Sequence, residues 1–213
     1  MFINFYNILN LSWTETVSLH FDDEDRDEFL TETMTSLFKL FAAACFSIVA
    51  CMPFVFPILI NEKYVAGYDQ ILILMYAMLF RVLVGLYSCI YVAQKNAKKI
   101  AYTSISAAII NITVNLILIN KIKIFAASIS TLVAFFSMFI IRYIDVNKTV
   151  HMRIRKPIII GSILIGTMLI GTYYCENKMI QLIALCITAI YAVLTNVDML
   201  KSGMKLVKSR FGK

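Results

Sequence analysis

Charge is scarce in this chain, and so are the residues that punctuate irregular structure. Only 15% of the 213 residues are charged, there are seven Gly and three Pro, and 60% are hydrophobic, against roughly 25% charged and 45–50% apolar in an ordinary soluble domain. A soluble globular fold is excluded by that balance, and the mean hydropathy of +0.79 also excludes intrinsic disorder. So few Gly and Pro rule out collagen-like and Pro-rich segments. The five Cys, at 45, 51, 89, 175 and 186, include no C-x-x-C pair and have no His at ligand spacing, so neither a disulfide framework nor a zinc site is indicated. They read as small apolar packing residues. With two His, His20 and His151, both in connectors and without evident partners, and no Gly-rich phosphate loop, nothing supports catalysis, a metal or a cofactor.

What is present is a series of long uncharged runs. Six reach the ~20 residues needed to cross a ~30 Å hydrocarbon core: Leu40–Asn61, Gln70–Gln94 interrupted by Arg81, Ile100–Asn120, Ile124–Ile141, Pro157–Cys175 and Met179–Val197. The flanks extend some of these, to 37–61, 124–143 and 179–198. None shows the alternating pattern of barrel strands, and backbone groups in hydrocarbon must be satisfied internally, so all six are predicted helical. The third and fourth are joined so tightly that they must form an antiparallel hairpin. The fold class is thus an all-α integral membrane protein with six transmembrane helices and, at residues 1–20, an apolar stretch of about half a span. No basic region precedes that stretch and no small-x-small site follows it, which argues against a signal peptide. It reads as the remnant of a transmembrane helix whose first half is absent.

The net charge of +7 would suit nucleic acid, but its placement points elsewhere. Lys95, Lys98 and Lys99 follow the second run, and Arg142, Lys148, Arg153, Arg155 and Lys156 follow the fourth. Lys201, Lys205, Lys208, Arg210 and Lys213 follow the sixth, while the opposite side has only Lys63, Lys121, Lys123 and Lys178. Excess Lys and Arg mark cytoplasmic connectors, so the C-terminus is expected in the cytoplasm of a multi-pass cell-membrane protein, and no nucleic-acid partner is expected. Seven acids crowd between Asp22 and Glu32; Asp22 or Asp23 is expected to cap a helix whose first turn holds Asp25, Asp27 and Glu28. That segment reads either as a solvated helix start or as a binding site.

Polar residues inside the runs are the informative ones. Arg81 lies too deep for easy snorkelling, where a charge costs at least ~2.5–3.5 kcal/mol, so it should face protein or a water-filled cavity. It is either a cationic contact for an anionic substrate or a buried structural Arg. Ser104, Ala108, Asn111 and Asn115 follow helical spacing along one face and either pack closely against another helix or line a hydrated path. Ala126, Ala127, Ser128, Ser130 and Thr131 form a second small-residue patch, expected to pack in the hairpin. Pro53 and Pro57, one turn apart, should bend the first run.

Gly85–Lys99 (GLYSCIYVAQKNAKK), Thr103–Ile119 (TSISAAIINITVNLILI), Ala126–Thr131 and Arg142-Tyr143 resemble the polysaccharide flippases, the Wzx-type exporters of O-antigen and capsule repeat units. These belong to the multidrug/oligosaccharidyl-lipid/polysaccharide superfamily. Ser12–Thr16 (SWTET) and Pro53–Pro57 (PFVFP) add to the resemblance, which covers about residues 1–150 and lies in pattern and order. Two departures stand out: Lys123, Ile124 and Phe125 occupy a hairpin turn that usually has Gly, and such flippases resemble two six-helix lobes, of which this chain would correspond to the C-terminal one. The resemblance implies a MATE-like C-terminal lobe over residues 21–150 and an additional helix pair with a basic tail over 151–213. It implies a polyprenyl-diphosphate-linked oligosaccharide as substrate, moved between leaflets. Arg81 is the expected diphosphate contact, with Asn111, Asn115, Trp13 and Glu15 as weaker substrate-binding candidates. It also implies that the chain is a transporter fragment, supplying one wall of the path and inactive alone because the N-terminal lobe is missing, with that lobe as a separate partner chain. A multidrug exporter of the same superfamily and a non-transport membrane scaffold remain as alternatives.

Overall fold

The computed structural model describes residues 2–59 and 67–202; Asn61 and Lys63 of the connector between the first two runs, and the tail lysines and arginine from Lys205 onward, lie outside the described residues. Among the described residues, seven helices with both ends defined follow one another: α1 (Phe2–Leu19), α2 (Arg26–Leu59), α3 (Tyr68–Ala93), α4 (Ala97–Ile122), α5 (Ile124–Val146), α6 (Lys156–Tyr173) and α7 (Lys178–Thr195). The last six are each long and apolar enough to cross a membrane, so the fold is an all-helical, membrane-embedded one.

Residues 1–20 hold helix α1, which continues past the apolar stretch through Ser12, Trp13 and Thr14 to Leu19 and packs on α3. The Trp13 indole Nε1 donates to the Leu86 carbonyl at 3.1 Å, and Thr14 Oγ1 lies 3.1 Å from Cys89 Sγ. Tyr6, whose hydroxyl donates to Asn10 Oδ1 at 2.9 Å, sits over Gly85 with no room for a side chain between them. Contacts therefore climb both helices together, and α1 and α3 run in the same direction.

Helix α2 is the longest element. Its 34 residues span about 51 Å at ~1.5 Å per residue, so well over a turn of it projects beyond a ~30 Å core. It runs through Pro53 and Pro57. It begins at Arg26, not at Asp22 or Asp23, so Asp25 precedes the first turn and only Asp27 and Glu28 lie within it. The Asp25 carbonyl accepts from the Glu28 and Phe29 amides, both at 3.1 Å. Asp23 does not cap the helix; its carboxylate instead takes His20 Nδ1 at 2.6 Å.

The acidic projection has a structural task that the sequence alone did not disclose. The segment after α5 lies along it, and alternate amides of that segment donate to side chains one helical turn apart: His151 N to Asp27 Oδ2 at 3.0 Å, Arg153 N to Thr31 Oγ1 at 3.3 Å and Arg155 N to Thr35 Oγ1 at 3.4 Å. An extended chain exposes one amide per ~6.6 Å on a given side and a helix one turn per ~5.4 Å, close enough for three successive matches. Val150 and Met152, pointing the other way, are wholly buried, and Arg155 pairs with Glu32 at 2.7 Å. His151 Nδ1 lies 3.5 Å from Asp27. Both His thus have carboxylate neighbours, contrary to the reading of them as unpartnered.

The expected hairpin of α4 and α5 is present, with Lys123 alone between the two helices at φ 47°. A residue with a Cβ takes a left-handed conformation there, where glycine is the usual choice. Helix α3 is the hub, packed on by α1, α2 and α5, while α6 and α7 pack against α2. Tyr76 donates to the Gly166 carbonyl at 2.7 Å, and the Tyr68 and Tyr173 rings stack at 4.5 Å, tying α6 to α3.

Candidate functional site

Two arginines lie within the packed helices, and the structure treats them in opposite ways. Arg142, counted among the basic residues that follow the fourth uncharged run, lies inside α5, 1% exposed. The helix continues to Val146, and Ala126, Ser130, Ala134, Met138, Arg142 and Val146 are all buried. Those six recur at an unbroken four-residue spacing, and this series is the sequence signal that would have placed Arg142 on the packed face.

The Arg142 guanidinium is clamped among three helices. Nε and Nη2 donate to Thr103 Oγ1 of α4 at 3.0 and 2.9 Å, and Nη2 also reaches Ser104 Oγ at 3.4 Å. Nη1 donates to the Val84 carbonyl of α3 at 2.9 Å and to the Ser88 hydroxyl. The Tyr91 ring lies 5.9 Å from Cζ. Every partner is neutral. The neighbouring carboxylate, Asp145, is engaged elsewhere, by Lys99 Nζ at 2.7 Å and the Tyr91 hydroxyl at 2.9 Å. With its donors used inside the protein, Arg142 fixes α3, α4 and α5 to one another and has no face for a ligand.

Arg81 is the reverse. It lies 13 residues after Tyr68 and 12 before Ala93 in α3, so roughly 18 Å from either end. It is exposed on the protein surface. Its guanidinium stands 5.9 Å from the centroid of Phe135 on α5, and among the described residues it makes no hydrogen bond or ion pair. This chain therefore leaves a cation uncovered at mid-depth.

The other candidates are distributed differently. Trp13 is 3% exposed and its indole N–H is used by Leu86, so it serves the α1–α3 contact; Glu15, on the outward side of α1, is exposed. Asn111 and Asn115 are half-buried, and Asn115 Nδ2 reaches Ser130 Oγ of α5 at 3.5 Å. The closely packed residues of α4 are Thr103 and Ala107. They are offset by one from the stripe of Ser104, Ala108, Asn111 and Asn115, whose first two members are exposed. The α5 patch packs on two helices and not on α4 alone, since Ser128 donates to Gln70 of α3. Arg81, the asparagines and Trp13 are thus not gathered into one enclosed site. Among the described residues no cluster of His, Cys, Asp or Glu could hold a metal ion. No protein family, curated protein or solved structure matches the chain.

Proposed function

We propose that this chain forms one wall of a membrane path for polyprenyl-diphosphate-linked oligosaccharides, as a flippase component in capsule or O-antigen biosynthesis. The observation that carries the reading is Arg81: an exposed guanidinium at the middle of an apolar helix, with no hydrogen bond or ion pair among the described residues. Facing lipid it would cost at least ~2.5–3.5 kcal/mol, a cost removed if that face of α3 meets water and an anionic cargo. Alternating access sets such a face against a second repeat or lobe around a shared site. The resemblance of about residues 1–150 to polysaccharide flippases supplies the substrate class.

The test is binding of a short-chain polyprenyl-diphosphate-linked saccharide to the chain in nanodiscs. Arg81→Lys is expected to keep part of the affinity, whereas Arg81→Leu should lose about tenfold or more, a charge-assisted hydrogen bond being worth ~1.5–3 kcal/mol. Unchanged binding by the Leu variant, with the protein inserted and abundant, overturns the reading.

In this proposal the basic connectors face the cytoplasm. In a variant with Cys175 as sole cysteine, a membrane-impermeant thiol reagent should label intact cells. A sole cysteine introduced as Lys148→Cys should be labelled only after lysis; the opposite pattern inverts the orientation.

A further inference from the structure

At the end of the bundle where α3 gives way to α4 and α5 finishes, a cavity of about 530 Å3 opens between the helices. Its charged groups are Lys98 and Lys99 in the first turn of α4, Lys148 just past α5, and Asp145. Asp145 is already paired with Lys99 at 2.7 Å, which leaves Lys98 and Lys148 in no ion pair among the described residues. The cavity therefore carries a surplus of two positive charges. Apart from Thr103, its remaining wall is apolar and aromatic, formed in part by Ile141, Ile144 and Tyr102; Ile144 and Tyr102 are also exposed, at 55% and 72%.

We infer that this cavity is a binding site for the phosphate headgroup of an anionic glycerophospholipid. Two features select a lipid over a free phosphate. First, the lysines sit at helix ends, where the bilayer's headgroup layer lies, and basic pockets between transmembrane helices suit anionic headgroups. Second, the apolar wall is continuous with the uncovered outer face of α4, where Ile105 and Ile109 are exposed, so an acyl chain can lie along the helix while its phosphate sits between Lys98 and Lys148. A soluble anion would gain nothing from that wall. Tyr102, an aromatic residue at the interfacial level, fits the same position. The site is independent of Arg81, which lies roughly 18 Å away along α3 at ~1.5 Å per residue, and of the flippase reading.

The experiment measures how strongly the purified full chain, in nanodiscs of mixed composition, retains phosphatidylglycerol over phosphatidylcholine. Wild type should favour phosphatidylglycerol. Lys98→Gln with Lys148→Gln should cut the preference about 25-fold, each lysine near an anionic surface being worth about fivefold, while Lys98→Arg with Lys148→Arg should preserve it. Lys121→Gln with Lys123→Gln, the same charge change at the other end of the same hairpin, should leave it intact. Unaltered Trp13 emission shows that each variant is folded. An equal loss in the Lys121 and Lys123 variant would mean general charge attraction and overturn the site. Displacement of the lipid by excess glycerol phosphate would make it a site for soluble phosphate, and selective displacement by a polyprenyl-diphosphate saccharide would make it a substrate site; either result overturns the phospholipid assignment.

Discussion

Replacing Thr103 by Val, nearly the same shape, is expected to destabilise the protein more than removing the buried charge it serves. The Thr103 hydroxyl accepts from two nitrogens of Arg142 and donates its own proton to the Lys99 carbonyl at 2.9 Å. In Thr103→Val the Nε hydrogen of a buried cation has no acceptor and Nη2 is left with Ser104 at 3.4 Å, a loss of about 2–3 kcal/mol. Arg142→Met removes the cation altogether. The hydroxyls left behind already donate to carbonyls of their own helices, Thr103 to Lys99 and Ser88 to Val84 at 2.9 Å, so no donor is stranded. An apolar replacement of a buried charge is often close to neutral, and about 1 kcal/mol of lost cross-linking is expected here. The double variant should be no less stable than Arg142→Met alone. Steric trapping or titration from mild detergent into SDS measures all three; additive losses, or a Thr103→Val milder than Arg142→Met, would show that the clamp is not what holds the guanidinium.

The second large effect is expected where α1 meets α3. A methyl group at Gly85 would overlap the Tyr6 hydroxyl and come within 2.6 Å of Cζ. Tyr6 cannot swing aside freely, because its ring is buried against Phe41, edge to face at 5.5 Å, and its hydroxyl is bonded to Asn10. Gly85→Ala should cost about 1–3 kcal/mol as overpacking and lever α1 from its seat. The single tryptophan of the chain reports this directly: Trp13 lies in that interface, and its emission should shift to the red as water reaches it. Tyr6→Phe added to Gly85→Ala should not rescue, since Cζ remains, whereas Tyr6→Ala should restore most of the emission shift. An unshifted spectrum for Gly85→Ala would place the contact elsewhere.

Both predictions concern contacts that no stretch of sequence displays on its own. The membrane runs were legible because an apolar run of ~20 residues has one stable outcome in hydrocarbon: a helix that satisfies its own backbone. The α4–α5 hairpin was legible because Lys123 leaves no chain length for any other arrangement. The patch at Ala126–Thr131 was readable as a packing surface, but not its partners, since small residues admit any neighbour. It meets α3 as well as α4 because α5 lies between them.

The two arginines mark the boundary between what sequence determined and what tertiary structure decided. Sequence set the depth of Arg81 in its run, and the structure leaves it at mid-depth. It equally set Arg142 just past the fourth uncharged run, which ends at Ile141, yet the helix continues and Arg142 is the buried one. Depth follows from counting residues along one helix, a local property fixed by rise per residue. Burial is a property of whatever covers a face, and here that depends on Thr103 and Val84, 39 and 58 positions away in the chain. The same holds for α1, whose extension to Leu19 rests on Leu86 and Cys89, and for the acidic start of α2, which receives the 151–155 segment more than a hundred residues later. Sequence by itself determined which segments are helices in a membrane, because hydrogen bonding in hydrocarbon is decided within each segment. Which polar side chains are consumed in holding the helices together, and which is left facing outward, only the packing of distant segments decided.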